Sequence, residues 1–202
     1  MVISNGVKER PILFSGEMVR AILEGRKTMT RRVMRIQPKY HPKWKSWELA
    51  QIVKGQSFDW PEDMSAPFGI SGFCPYGIPG DRLWVRETWA QGQRNGKDTV
   101  LFYKASHEKE VAEGIKWKPS IFMPRWASRI MLENTNIRVE RLQEITASDV
   151  EREGAITKNT DIRDALGIWI KLWDSINGKK YPWASNPWVW VIEFTQLKAK
   201  NF

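Results

Sequence analysis

The stretch Gly25-Arg26-Lys27-Thr28-Met29-Thr30-Arg31-Arg32 decides how the rest of the chain is read. Just upstream, Ser15 offers an N-cap oxygen and Glu17 stands in a first helical turn, while Met18, Ala21 and Ile22 make the i, i+3, i+4 stripe of a short helix. Gly25 fits the residue after that helix, where a positive φ ends it without a Cβ penalty. From Lys27 to Ile36 the β-branched Thr28, Thr30 and Val33 crowd a helix, so the chain is expected to leave the cap extended. Cations and hydroxyls are thus gathered immediately beyond a helix end.

Charge converges on the same place. The 202 residues carry a net charge of +9, which favours an anionic partner such as nucleic acid. Residues 8 to 45 hold eleven Lys or Arg (Lys8, Arg10, Arg20, Arg26, Lys27, Arg31, Arg32, Arg35, Lys39, Lys43, Lys45) against Glu9, Glu17 and Glu24, a balance of +8 that leaves only +1 for the rest. A basic block is commonly a solvated face, but one that coincides with the quoted stretch is a candidate phosphate-facing surface. Cys74 is the only cysteine, so a disulfide framework and a thiolate metal site are excluded and a reducing compartment is expected. With only His41 and His107, neither a zinc site nor a histidine-based triad is expected, and no cofactor is called for. The N-terminus lacks the apolar core of a signal peptide and no run approaches a membrane span, so a cytoplasmic protein with no membrane partner is expected.

Working outward, residues 1 to 10 read as a loose leader and Pro11–Phe14 as a first strand. Residues 38 to 79 hold six of the eleven prolines and show no apolar period, so an irregular insertion at about 38–78 is expected within a single 1–202 domain. Leu83–Trp89 alternates, placing Leu83, Val85, Glu87 and Trp89 on one face; Glu87 on that apolar face must be partnered or functional. Val100–Lys104 reads as its returning strand, with Asn95-Gly96 as the hairpin signal. Residues 117 to 126 form a proline-bounded loop, followed by a strand pair, Ser128–Leu132 and Asn136–Leu142, joined through Glu133-Asn134-Thr135. Thr146 and Asp149 make a capping pair for a short helix ending at Gly154, with Glu151 and Glu153 in its unfavourable last turn. In Asp161–Ile176, residues Ile162, Ala165, Leu166, Trp169, Leu172, Trp173 and Ile176 form a stripe that reads as a core face. Trp188–Phe194 is apolar on both faces and reads as a central or terminal barrel strand. This order of elements implies an α+β fold with a small β-barrel, flanking helices and the irregular insertion.

Against that frame, Gly25-x-Lys27-x-x-Thr30-x-Arg32 resembles the Gly-x-Lys-x-x-Glu-x-Arg motif of ASCH domains, which have a PUA-like β-barrel fold and are associated with RNA. Thr30 stands where the general motif has Glu. The small ASCH enzymes that hydrolyse N4-acetylcytidine also carry threonine there, in a stretch similar to Ile22–Thr30. They use a lysine, that threonine and a downstream glutamate in a segment similar to Thr146–Glu153. The resemblance therefore implies Lys27, Thr30 and Glu153 as catalytic residues, with Glu151 as the alternative carboxylate. Gly80-Asp81 before a strand, Pro79–Glu87 and Met123–Arg129 are similar to segments of longer ASCH proteins of phages and prophages. The likeness spans most of residues 11–197 outside the insertion.

Hydrolysis of an amide on an exocyclic nitrogen needs a nucleophile, a base and charge stabilisation. Lys27 in a partly dry pocket, beside Arg26, Arg31 and Arg32, is driven toward the neutral amine a base requires. Thr30 lies three residues on, so in a fully extended chain the two side chains point apart and convergence requires a bend. Arg26 and Arg31 are assigned to the anionic surface, and Arg32 to either. Arg86, Glu87, Trp89, Arg125 and Trp126 are candidates for lining the same pocket, an Arg and a Trp together holding a base and its phosphate. The expected partner is RNA, a nucleoside or a modified base, including single-stranded nucleic acid. Two other readings stand beside the amidohydrolase: a PUA-like module that binds modified bases without chemistry, and a metal-dependent ribonuclease, for which the sequence offers no acidic cluster.

Overall fold

The run that is apolar on both faces becomes β9 (Trp188–Gln196), and its position explains its composition. In the computed structural model, which describes residues 6–35, 37, 52–53, 56–57, 74–94, 98–106, 115–156 and 160–197, β9 is sandwiched between two apolar clusters. Trp188, Trp190, Ile192 and Phe194 join Ile12, Val19, Ile22, Val85 and Leu132 on one side. Val189 and Val191 join Met29, Leu142, Val150, Trp169 and Trp173 on the other. The period-two alternation of a strand delivers consecutive side chains to opposite faces, so the stretch Trp188–Ile192, with a core on each face, is apolar at every position.

The remaining elements follow in chain order. Strand β1 (Glu9–Leu13) leads into helix α1 (Gly16–Leu23), which is followed by β2 (Met29–Val33). The Ser15 hydroxyl accepts the Met18 N–H at the start of α1, and Gly25 ends the turn at φ 72°, as its sequence position requires. Two-residue strands β3 (Ile52–Val53) and β4 (Gln56–Ser57) pair within the insertion, most of which lies outside the described residues. Then come β5 (Arg82–Arg86), β6 (Trp89–Arg94), β7 (Asp98–Tyr103), β8 (Met131–Arg141), α2 (Ala147–Arg152) and α3 (Ile162–Asn177). The expected capping box of α2 is present, with the Thr146 hydroxyl and Asp149 carboxylate each accepting the other's backbone N–H.

The content is mixed, α+β, around a five-stranded sheet in the order β1-β5-β8-β9-β2. Strands β1 and β5 are parallel and the other neighbours antiparallel. Ladder hydrogen bonds do not join β1 to β2 among the described residues, so they leave the sheet with two ends. Three expectations change in detail. The chain is already in β1 at Glu9, within the supposed leader. The alternating run 83–89 is broken at Glu87-Thr88: β5 ends at Arg86, and Trp89 begins β6 of a separate two-stranded sheet with β7. The expected Asn95-Gly96 hairpin signal lies outside the described residues. Residues 131–141 form one continuous strand rather than a pair, because a bulge between Asn134 and Asn136 absorbs the polar residues that read as a turn. No helix among the described residues is long and apolar enough to cross a membrane.

Candidate active site

Two short segments from distant parts of the chain meet at the quoted motif. After Gly25, the Arg26 and Lys27 N–H groups both donate to the Ala21 carbonyl, which folds the chain back over the helix end. The Thr28 N–H then donates to the Arg152 carbonyl and its own carbonyl accepts from the Phe194 N–H, so the motif is stitched to α2 on one side and to β9 on the other. Lys27 therefore lies in a bend before β2, not in extended chain, and this supplies the convergence that a straight strand would have denied it. The matching joint on α2 is Gly154, at φ 72°. A Cβ there would stand 2.8 Å from Ala21 Cβ and 2.9 Å from Lys27 Cβ, so only glycine lets the end of α2 approach this closely.

That approach buries an ion pair. Lys27 is 3 % exposed and Glu153 2 %. Lys27 Nζ donates to Glu153 Oε2 at 2.9 Å and to the Glu153 carbonyl at 2.6 Å, which places a cation on the end of α2 as its dipole favours. Burial drives the Lys27 ammonium below its ordinary value, Glu153 pulls in the opposite direction, and Arg32 and Arg31 add a smaller downward push. Glu153 is the carboxylate that enters the site; Glu151 is exposed.

Arg31 is buried, which corrects its assignment to the surface. Its Nη2 donates to Glu140 Oε2 and Asp149 Oδ2, both at 3.0 Å, and its Nη1 lies 3.6 Å from Glu153 Oε1. It thus ties β2 to β8 and to both ends of α2, and it steadies the free oxygen of Glu153. Burial works to raise Asp149, but the hydrogen bonds from Thr146 and the Arg31 charge outweigh it and hold the carboxyl below its usual value. Arg26 stays near the surface, paired with Glu24. Arg32 donates Nη2 to the Leu13 carbonyl and stacks over Phe14 at 5.1 Å, while Lys27 Nζ stands 5.5 Å from the same ring.

Lys27, Thr30, Arg31, Arg32 and Glu153 line one cavity of about 370 Å³. Leu13, Phe14, Ser15 and Met18 form a second part of its wall, Thr88 and Ser120 another, and Trp169, Leu172, Trp173 and Ile176 of α3 a fourth. A space of this size with an apolar wall and a few convergent polar groups suits a small organic ligand. The α3 stripe is accordingly divided. Ala165, Trp169 and Trp173 are buried as read, Leu166 is exposed and Ile176 is 66 % exposed; part of what reads as core face is cavity wall.

The other sequence candidates lie outside this lining. Glu87 is 1 % exposed and is held by a bidentate pair with Arg129, at 2.9 and 3.1 Å, so its burial is explained by a partner. Trp89 packs with Met123 and Ala127 and meets Trp126 edge to face. Trp126 is 65 % exposed, Arg125 pairs with Glu9, and Arg86 stacks over Trp84. The break after Arg86 turns this group away from the cavity while leaving Thr88 in its wall. Sequence reading missed Phe14, Thr88, Ser120, Trp169 and Trp173 as cavity residues. For Phe14 the available signal was a ring next to the helix cap facing the motif; nothing in the pattern marked Ser120. Among the described residues no group of three or more His, Cys, Asp or Glu is arranged to hold a metal ion. Cys74 is buried, and burial pushes its thiol up to about 11.

Comparison of the chain with protein-family models, curated proteins and solved structures yields no match.

Proposed function

We propose that this cavity hydrolyses the amide of an N4-acylated cytidine-type base, with Lys27, Thr30 and Glu153 as its catalytic residues, on an ASCH-type, PUA-like scaffold. The observation that carries the reading is that these three residues, drawn from two segments more than a hundred residues apart, line one cavity with the lysine and glutamate in direct contact. The scaffold part rests on the sheet. Its end strands β1 and β2 lack a ladder between them, yet Arg32 of β2 donates to the Leu13 carbonyl of β1, a side-chain bridge where a barrel would close.

Lys27 pairs with Glu153 as an ammonium, and burial weakens its hold on the proton, so the neutral amine that accepts a proton is reached more easily than in an exposed lysine. That amine takes the proton of the Thr30 hydroxyl as its oxygen adds to the acyl carbon. The lysine, now an ammonium, stands beside the oxyanion and then gives the proton to the exocyclic nitrogen as the C–N bond breaks. The base leaves as an amine and the acyl group rests on Thr30 as an ester. Water, deprotonated by Lys27, cleaves the ester to a carboxylic acid and restores the threonine. Glu153 fixes Nζ through its hydrogen bond at 2.9 Å and offsets the ammonium formed in each half-reaction.

The test is deacylation of N4-acetylcytidine, followed by chromatography, for the wild-type protein and for Lys27→Ala and Thr30→Val. Turnover by wild type with a loss of about 10²-fold or more in each variant is expected, in line with removal of a general base or nucleophile. Equal turnover by wild type and Lys27→Ala removes Lys27 from the mechanism, and tight nucleoside binding without turnover by the wild type reduces the cavity to a recognition pocket.

A further inference from the structure

The charges lining the cavity do not balance. Lys27 is matched by Glu153, and Arg31 by Asp149 and by Glu140, which also holds Arg138. Arg32 is matched by no carboxylate among the described residues; its hydrogen bond goes to a neutral carbonyl. Burial lowers the Arg32 guanidinium from its ordinary value, with Tyr76 and Glu153 working against that shift, but an arginine does not lose its proton in a protein. One cation of the wall is left over.

The hydrogen-bonding inventory has the same sign. Among the described residues, nine buried side-chain nitrogen or oxygen atoms have no hydrogen-bond partner, and four of these belong to residues lining this cavity. Three are N–H donors: Arg31 Nε, Arg32 Nε and Trp169 Nε1. The fourth, Glu153 Oε1, already faces Arg31 Nη1. Arg31 and Trp169 are each more than nine-tenths buried, so their donors have little recourse to bulk water. A wall with surplus donors and one surplus cation suits a ligand that brings acceptors and negative charge.

We propose that the cavity takes a nucleoside 5′-monophosphate in preference to the uncharged nucleoside, with the phosphate meeting Arg32. This rests on the amidohydrolase reading for the orientation of the base but not for the anion itself. Thr30 and Arg32 are two steps apart on β2, so both lie on one face of the strand, about 6.6 Å apart along it. Lys27 and Arg32 flank one Phe14 ring. A single nucleotide can therefore place its exocyclic nitrogen at Lys27 and Thr30 while its phosphate reaches the guanidinium. The planar fork of arginine suits a phosphate monoester, which accepts two parallel hydrogen bonds. The cavity volume, about 370 Å³, holds one nucleotide and not a strand, which selects a free monoester over a backbone phosphodiester.

Calorimetric titration with cytidine, cytidine 5′-monophosphate, inorganic phosphate and a cytidine-centred RNA trinucleotide tests this without requiring turnover. Wild type is expected to bind the monophosphate about tenfold or more tightly than cytidine, as a charge-assisted pair implies. Inorganic phosphate should compete with it, and added salt should narrow the gap. Arg32→Gln should abolish the preference and Arg32→Lys should retain part of it. Equal affinity for the two cytidine ligands, no binding of either, or an undiminished preference in folded Arg32→Gln overturns the proposal. So does tighter binding of the trinucleotide than of the monophosphate. If Arg32→Gln does not fold, the Arg32→Lys titration and phosphate competition on wild type decide. Preference for the monophosphate without deacylation would sink the catalytic reading and leave the anion site standing.

Discussion

Gly25 and Gly154 form a matched pair that isolates the close approach at the centre of the site. Both have φ 72°, so alanine at either position carries the same left-handed backbone cost of about 1–2 kcal/mol. The gain from a stiffer unfolded chain is also common to both. Their surroundings differ. A Cβ on Gly25 meets nothing within 4 Å, whereas one on Gly154 meets Ala21 Cβ at 2.8 Å and Lys27 Cβ at 2.9 Å. Neither neighbour is the end of a flexible side chain, so the α2 end must move away from the motif. Overpacking of this kind costs about 1–3 kcal/mol. Gly25→Ala should therefore lose about 1–2 kcal/mol, and Gly154→Ala about 2–5 kcal/mol. The difference between them corresponds to roughly 2–12 °C in Tm for a chain of this size. Urea unfolding and thermal scans of both variants measure it, and deacylation assays on the folded fraction report whether the Lys27–Glu153 contact is disturbed only in Gly154→Ala. Equal destabilisation of the two variants, or full activity in Gly154→Ala, would refute the argument that this joint holds Lys27 and Glu153 together.

Two further outcomes follow from the ion pairs. Lys27 is depressed in the folded state, so the unfolded chain binds its proton more tightly. Stability should therefore rise with pH from the folded Lys27 value up to the unfolded value of about 10.4, and urea midpoints should show that rise in wild type but not in Lys27→Met. Arg129→Met leaves the Glu87 carboxylate buried without its partner and should cost about 3–5 kcal/mol in thermal unfolding, with KM and kcat of the folded protein unchanged because the pair lies outside the cavity.

Local signals in the sequence were read correctly where a single segment determines the outcome. Ser15 and Gly25 bound α1, and Thr146 with Asp149 opens α2, because capping is settled by residues three or four apart. The burial of Glu87 was visible in the alternation of residues 83–89; its partner Arg129, 42 residues on, was not. Arg31 failed for the same reason. Its carboxylate partners sit 109 and 118 residues away, so the sequence around it shows only another cation in a basic block. The polar triplet Glu133-Asn134-Thr135 resembles a turn, yet buried Asn134 uses its side-chain amide to hold the carbonyls of Tyr76 and Ile78, a role fixed by a loop far upstream. The α3 stripe was apolar for two reasons at once, packing and cavity lining, and periodicity cannot separate them.

The strand order has a consequence for how the protein is made. β2, which carries Thr30, Arg31 and Arg32, has a single ladder partner among the described residues, β9, at residues 188–196. During synthesis the motif leaves the ribosome well before the strand it pairs with, and it cannot take its place in the sheet until that strand has been made. A nascent chain that stops short of Trp188 carries every residue assigned to the chemistry and still has no edge on which to set them.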